Sequence, residues 1–293
     1  WRDNGIEAIT RHFSWDAHVC RYLALMSQRV ELSNNRISSI SSPLFLDTPA
    51  KTLFLIDLDT SLEFSSAGEI TTLRDKFQLL NRENLIGIIT GRSIKSARIR
   101  FSEFDLPDPS VWITRAGTEI YHQSNTSPDD FWTSYIAIDW NRTSVENVLK
   151  HFSQQLSLQA KDHQGPFKVS FLLREPSETI LSLVQKRLRQ KSQLASVHLR
   201  CHCYLDVVPL RASRTEAIRY LAHRWSIPLE NVMVIASQQG DAELVRGLTS
   251  TVIPAEHDPC LEKFRSQQRV YFASTSHANS FLDGLNHYKF ILR

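Results

Sequence analysis

The sequence is poor in the features that mark several classes of protein. Of its 293 residues only 4 are cysteine, 9 are glycine and 11 are proline. Such low numbers exclude a collagen-like or low-complexity chain. A chain of this length also buries enough apolar surface to fold without disulfide bonds. It exceeds the usual size of one domain, so we expect two lobes or one domain with a large insertion.

The cysteines lack the spacing of a zinc site. Cys201 and Cys203 flank His202, but the alternation of a β-strand would place both thiols on one face. No second pair of ligands follows at a suitable distance along the chain. We predict reduced, structural thiols in a cytoplasmic protein.

The sequence also has no large charge excess and no long apolar run. Its 34 basic and 31 acidic residues give a net charge of +3, and no basic stripe interleaved with aromatic residues indicates a nucleic-acid partner. The basic residues at 187, 189 and 191 are typical of a solvated helix end. No run approaches the roughly 20 apolar residues of a membrane span, and no signal peptide is visible. We predict neither a nucleic-acid nor a membrane partner.

The pattern of apolar residues divides the chain into five parts. Helical periodicity over 1–30 predicts a helix that closes a preceding domain, and polar residues over 31–50 predict a linker. From residue 51 short apolar runs alternate with helices, which predicts the first part of a doubly wound parallel sheet over 51–123. The same pattern returns over 206–293. Between them, 124–205 reads as an inserted α+β unit.

Within the insertion we predict the order helix, strand, helix, strand. The ranges are 144–156, 167–173, 177–189 and 197–204. This order is typical of a small antiparallel sheet with helices on one face. The predicted fold class is therefore α/β, a Rossmann-like core with an inserted α+β cap.

Two carboxylates follow the first apolar run of the core. Asp57 and Asp59 lie directly after the predicted strand, at the edge where α/β proteins bind ligands. In phosphoryl transfer Asp57 would attack phosphorus to give an aspartyl phosphate, and Asp59 would protonate the leaving alcohol. Two aspartates at this spacing also occur in loops that cap helices. The other residues of the site therefore decide whether the pair is catalytic.

Four later positions favour phosphoryl transfer. Thr90 ends a second predicted strand and can donate a hydrogen bond to a phosphoryl oxygen, while Gly91 lets the backbone approach closely. Arg214 begins a helix and would neutralise the transferring phosphate. Asp241 follows the strand predicted at 232–235 and would help to hold Mg²⁺. The order and spacing of these residues resemble those of the haloacid dehalogenase-like superfamily.

Further motifs narrow the resemblance to the sucrose-phosphate phosphatase family. They are TGRS at 90–93, TEIY at 118–121, FKVSF at 167–171, LDVVP at 205–209 and RYLAHRWSIPL at 219–229. Upstream, NGI at 4–6 and FSWDAH at 13–18 resemble the closing helix of a sucrose-phosphate synthase glycosyltransferase. We therefore expect the chain to be the C-terminal part of a longer, two-domain sucrose-phosphate synthase.

The resemblance implies a role for each site residue. Asp57 and Asp59 would be nucleophile and acid/base. The substrate phosphate would be bound by Thr90, Gly91, Arg92 and Arg214. The sugar would be bound by Lys168 and Ser170 of the cap, although a lysine on a strand surface has no functional meaning by itself. The Mg²⁺ ligands would be Asp57, Asp59 and Asp241. The tryptophans at 112, 132 and 140 would either stack on sugar rings or pack in the core.

The sequence departs from the family at its metal loop. The family pattern is Gly-Asp-x-x-Asn-Asp, whereas residues 236–241 read ASQQGD. Ser237 stands where the principal carboxylate ligand is expected, and Gly240 replaces the asparagine. A neutral hydroxyl is a poor ligand for a hard cation. In addition Arg214 replaces the usual lysine, and Ser61 a threonine or valine. We therefore expect Mg²⁺ binding to be weak or absent.

Three hypotheses for function follow. The first is a catalytically impaired regulatory or docking domain that binds sucrose 6-phosphate. In it, glucosyl transfer from a nucleotide sugar to fructose 6-phosphate would occur on another part of the chain, and a separate sucrose-phosphate phosphatase would be a further partner. The second is an active Mg²⁺-dependent sucrose-6-phosphate phosphatase. The third is a structural dimerisation module that binds no sugar phosphate.

Overall fold

The chain folds around two β-sheets. The computed structural model describes residues 51–80, 83–175, 178–200 and 203–290, so the predicted leader helix, the linker, Cys201 and His202 lie outside the described residues. The described strands are β1 (Thr52–Asp57), β2 (Asn84–Ile89), β3 (Val111–Thr114), β4 (Glu119–His122), β5 (Leu156–Leu158), β6 (Val169–Leu173), β7 (Ala195–Arg200), β8 (Tyr204–Pro209), β9 (Val232–Ile235), β10 (Ser250–Ile253) and β11 (Val270–Phe272). The described α-helices are α1 (Ala67–Leu79), α2 (Ile94–Ser102), α3 (Asp130–Ile136), α4 (Arg142–Leu149), α5 (Glu178–Gln190), α6 (Arg214–Arg224), α7 (Ala242–Val245) and α8 (His277–His287).

The larger sheet has seven strands in the order β11-β10-β9-β1-β2-β3-β4. Its strands are parallel except β4, which runs antiparallel to β3 and pairs Trp112 with Tyr121. The predicted sheet was parallel throughout, and β4 is the exception because only a short turn joins it to β3. Two adjacent strands connected by a turn of a few residues can pair only as a hairpin.

Helices cover both faces of this sheet, which explains why β1 is apolar along its whole length. Phe54 and Ile56 point to one face and pack with α1, α2 and α8. Leu53 and Leu55 point to the other face and pack with α3 and α6. Every residue of β1 is buried, as expected for a central parallel strand.

The smaller sheet is antiparallel, in the order β5-β6-β8-β7. The single strand predicted at 197–204 is in fact two, because β7 and β8 form a hairpin that pairs Val197 with Val207. One face packs on α4 and α5 through residues such as Val169, Val184 and Leu188. The opposite face carries Ser170, His198 and Asp206, which lie across from one another in the strand register.

We still propose an insertion over 124–205, and two features of the structure bear on its limits. The smaller sheet extends through Pro209 at the end of β8, beyond the limit proposed at residue 205. Helix α3 lies after residue 124 yet packs on the larger sheet through Trp132 and Ile136. In the described part of the chain no helix is both long enough and apolar enough to span a bilayer.

Candidate functional site

The predicted site residues gather at the carboxyl edge of the larger sheet. Asp57 ends β1, Thr90 follows β2, and the 236–241 loop follows β9. These three strands are neighbours with β1 between the other two. The chain passes to β2 on one side of β1 and to β9 on the other, and ligand sites of open α/β sheets lie at such a switch of direction.

Asp57 is held by the turn that it begins. Its Oδ1 accepts a hydrogen bond of 2.9 Å from the backbone N–H of Thr60, so the carboxylate caps the helical turn Leu58–Leu62. Its Oδ2 accepts a hydrogen bond of 2.9 Å from Nη1 of Arg214. The residue is 3% exposed. Both oxygens of the candidate nucleophile therefore already have donors.

Asp59 lies against the loop after β2. Its Oδ2 accepts from the Thr90 hydroxyl at 2.9 Å and from the Gly91 N–H at 2.8 Å, and its Oδ1 accepts from Nε of Arg92 at 2.8 Å. Arg92 also donates to Glu63 at 2.6 Å. Three of the four groups expected to bind a substrate phosphate, Thr90, Gly91 and Arg92, thus bind the carboxylate of Asp59.

Arg214 connects two strands of the sheet. Ser213 caps α6 by accepting from the Glu216 N–H at 3.1 Å, which places Arg214 in the first turn. Gly117, whose φ is +93°, lies close to the start of α6. A Cβ atom at position 117 would lie only 2.4 Å from the carbonyl carbon of Ser213, so the close approach requires glycine. From α6 the Arg214 Nη1 donates to Asp57 and, at 3.1 Å, to Oδ1 of Asp241.

Asp241 closes its own loop. Its Oδ2 accepts from the backbone N–H groups of Ser237 and Gln238, each at 3.0 Å, and the residue is 4% exposed. The hydroxyl of Ser237 is buried and makes no hydrogen bond within the described residues. Ser237 also lines a cleft of about 380 Å³ together with Thr60, His257 and His277.

Burial, charge and hydrogen bonds shift the pKa values of Asp57 and Asp59, the two carboxylates after β1, in opposite directions. Burial raises the pKa of Asp57 to about 6, although the Arg214 guanidinium acts to lower it. Burial also acts to raise the pKa of Asp59, but hydrogen bonds from the Gly91 N–H and Arg92 hold that pKa below its usual value. Burial acts to lower the pKa of Arg214, yet Asp57 and Asp241 raise it above normal. Asp59 and Arg214 are therefore charged at neutral pH.

The predicted sugar-binding residues of the smaller sheet are fully buried. Lys168 lies just before β6, and its Nζ is 3.3 Å from the carbonyl oxygen of Gly91 and 3.3 Å from Oδ1 of Asp206. Ser170 donates to the same oxygen of Asp206. Lys168 thus connects the smaller sheet to the loop after β2. It lies at the predicted site but has no surface exposed to bind a sugar in this arrangement.

The three tryptophans proposed for sugar stacking pack elsewhere. Trp112 and Trp132 are buried in the two apolar layers of the larger sheet, and Trp132 donates from Nε1 to the Gly117 carbonyl at 3.1 Å. Trp140 packs against the core of the smaller sheet. Trp112 and Trp132 therefore pack in the core.

Two residues of the site have no role predicted from the sequence. Glu63 pairs with Arg92, and Asp206 pairs with Lys168. Asp206 lies in the LDVVP motif, so its position was available as a signal. Glu63 lies beyond the D-x-D pair, and nothing in the sequence indicates that the turn brings it to Arg92.

A family model described as sucrose-6F-phosphate phosphohydrolase matches residues 50–289. The chain belongs to the sucrose-6F-phosphate phosphohydrolase family. Among solved structures, the sucrose-phosphatase of Synechocystis sp. PCC6803 in complex with sucrose and phosphate is similar to this chain. The TM-score is 0.76 and the identity 24%, over 82% of this chain and 98% of that one. The similarity confirms the predicted fold class, a haloacid dehalogenase-like α/β fold with a mostly parallel central sheet.

Curated relatives include both phosphatases and synthases. The chain is 27% identical to sucrose-phosphatase 2 of Nicotiana tabacum over 208 residues, which are 68% of this chain and 48% of that protein. It is 29% identical to probable sucrose-phosphate synthase 3 of Arabidopsis thaliana over 191 residues, 55% of this chain and 17% of the synthase. The chain therefore spans about half the length of the phosphatases that it matches, and less of the synthases.

The described residues do not fit the Mg²⁺ ion that the family implies. No group of three or more histidine, cysteine, aspartate or glutamate side chains among them is arranged to hold a metal ion. Nη1 of Arg214 contacts both Asp57 and Asp241, and the loop after β9 carries the neutral side chain of Ser237 beside Asp241.

Proposed function

We propose that the chain is the phosphatase-like domain of a cytoplasmic sucrose-phosphate synthase, and that it binds sucrose 6-phosphate without hydrolysing it. The observation that carries this proposal is the pairing of Asp57 with Arg214 beside Ser237. The family supports sucrose 6-phosphate as ligand, and the synthase relatives support a glycosyltransferase domain in the same protein.

The paired nucleophile is a poor one for two reasons. Nucleophilic attack uses a lone pair of an ionised carboxylate, and the hydrogen bonds that both Asp57 oxygens accept, one of them from a guanidinium, make these lone pairs less nucleophilic. In addition, the position that would bring a carboxylate ligand holds Ser237, so the charge of an attacked phosphate would be compensated by arginine alone. Losses among groups that support a metal already cost about 10–100-fold in metal affinity or activity.

Ligand binding requires one rearrangement. The Thr90 hydroxyl and the Gly91 N–H now donate to Asp59. A phosphate would take these two donors, and Asp59 would turn away toward Arg92, with which it already pairs. Within the described residues, Arg214 uses only Nη1 in its hydrogen bonds, so its Nη2 and Nε can donate to the anion.

The alternative is an active phosphatase with Asp57 as nucleophile. It is favoured by the presence of Asp57 and Asp59 in the order that the family uses. Regulation and recruitment of a separate sucrose-phosphate phosphatase are the roles we propose for a domain that binds without hydrolysing. A purely structural module would bind no sugar phosphate.

Phosphate release from sucrose 6-phosphate with saturating Mg²⁺ distinguishes the two main functions. We expect none from the wild-type protein, and some from a Ser237→Asp/Arg214→Lys variant, which restores two of the four family residues that the sequence has lost. Asp57→Asn in that variant is the control and should abolish the gain. Release by the wild-type protein that Asp57→Asn abolishes would establish the active phosphatase instead.

A further inference from the structure

The two carboxylates that would hold a metal ion share one nitrogen atom. Nη1 of Arg214 lies 2.9 Å from Asp57 and 3.1 Å from Asp241. The side chains of these aspartates are 5% and 6% exposed, and that of Arg214 is 15% exposed. A guanidinium does not lose its proton in proteins, so this contact is a permanent positive charge in a buried acidic site.

No carboxylate oxygen of this pair lacks a donor. Asp57 accepts from Thr60 through Oδ1 and from Arg214 through Oδ2. Asp241 accepts from Arg214 through Oδ1, and from two backbone N–H groups through Oδ2. A Mg²⁺ ion takes oxygen ligands at about 2.0–2.1 Å, so it would have to displace at least one of these donors.

Two guanidinium groups at this edge each bridge a pair of carboxylates, so half of the negative charge of these four groups is offset without a metal ion. Asp57 and Asp241 pair with Arg214, while Asp59 and Glu63 pair with Arg92. The field of Asp59 and Asp206 also acts on Arg214. The guanidinium of Arg214 would repel a divalent cation placed beside it. A carboxylate at position 237 would reduce this repulsion, but the side chain of Ser237 carries no charge.

We propose that the Arg214 guanidinium is the resident cation of this site, in the place of a divalent metal ion, so that the domain needs no metal ion to be stable or to bind a phosphorylated ligand. The arginine in this position and the serine at 237 then act together. The serine removes an anionic ligand, and the arginine bridges Asp57 and Asp241 and offsets one of their two negative charges. This inference rests on the proposed function only for the identity of the ligand.

The test measures Mn²⁺ binding by electron paramagnetic resonance, and thermal unfolding with EDTA or with Mg²⁺. The wild-type protein should bind no Mn²⁺, and Mg²⁺ should leave its Tm unchanged. Arg214→Met leaves two buried carboxylates without a cation, so this variant should unfold at a lower temperature in EDTA. Mg²⁺ should recover part of the loss, and its Mn²⁺ affinity should exceed that of the wild type at least ~10-fold. Arg219→Met on the same helix is the matched control, because Arg219 is half-exposed and pairs with Glu216.

A second pair of variants covers the case in which Arg214→Met does not fold. Ser237→Asp alone should bind Mn²⁺ at least ~10-fold more weakly than Ser237→Asp/Arg214→Lys, because only the double variant removes the guanidinium whose Nη1 contacts both carboxylates. Equal Mn²⁺ affinities of these two variants, or Mn²⁺ binding by the wild type, would overturn the inference. Neither result bears on whether sucrose 6-phosphate is hydrolysed, so the failure of this inference and that of the proposed function are distinguishable.

Discussion

The Lys168–Asp206 pair allows a sharp prediction about how the smaller sheet is attached to the larger one. Both side chains are fully buried, and Nζ lies 3.3 Å from Oδ1. The same ammonium is 3.3 Å from the Gly91 carbonyl. Lys168→Met keeps most of the volume but leaves the buried Asp206 without this cation. Breaking a buried pair in this way costs about 3–5 kcal/mol.

Asp206→Asn in the Lys168→Met background should restore most of this loss. The amide of asparagine can still accept from Ser170, and no uncompensated charge is left in the interior. Removing both members of a buried ion pair is often nearly neutral, so we expect the double variant within about 1 kcal/mol of the wild type. The coupling energy between the two positions should accordingly be several times that of an exposed pair.

Urea unfolding followed by tryptophan fluorescence measures these free energies, with Lys150→Met as an exposed-lysine control. A loss below about 1 kcal/mol in Lys168→Met would place the ammonium in water and refute the buried pair. A double variant as unstable as the sum of the single changes would show that the two residues do not interact.

Three further predictions concern the core and the acidic site. Trp132→Ala should lower the free energy of unfolding by about 3–5 kcal/mol in urea melts, because a 1% exposed ring that joins α3 to the sheet is lost. Asp57 has a pKa raised from 3.8 to about 6, so the native state binds the extra proton and the wild-type protein loses stability as pH rises through this window. Relative to it, Asp57→Asn should gain about 2–2.5 kcal/mol between pH 4 and pH 7.5 in the same melts. Asp59→Ala should bind sucrose 6-phosphate more tightly by calorimetry, since it frees the Thr90 and Gly91 donors; weaker binding would contradict this account of the phosphate site.

The parallel core was predictable because its strands are apolar on both faces. The runs that end at Asp57 and Ile235 are buried along their length, and helices α1, α2 and α6 lie between successive runs of this kind. The β7–β8 hairpin was harder to recognise, because its two strands alternate in one continuous pattern and only three positions of the chain lie between them. Helix α3 has only seven residues, too few for a reliable period.

The sequence indicates which residues lie at the site, but not which side chains contact one another there. Strand ends place Asp57, Thr90 and Asp241 at one edge, since neighbouring parallel strands end together. The contact of Asp57 with Arg214 joins residues 157 positions apart, and it depends on the reach of a side chain from the first turn of α6. The burial of Lys168 likewise depends on how the smaller sheet meets the loop after β2. Neither the Asp57–Arg214 contact nor the burial of Lys168 can be predicted from the neighbouring residues in the sequence.

We propose above that the domain binds sucrose 6-phosphate and leaves it intact. A ³¹P NMR titration of the wild-type protein with this sugar phosphate, in saturating Mg²⁺, reads binding and hydrolysis in one sample. We expect a shifted or broadened phosphate-ester signal that keeps its intensity over time, with no inorganic phosphate. Growth of an inorganic phosphate signal that Asp57→Asn abolishes, or an ester signal unaffected by the protein, would contradict the proposal.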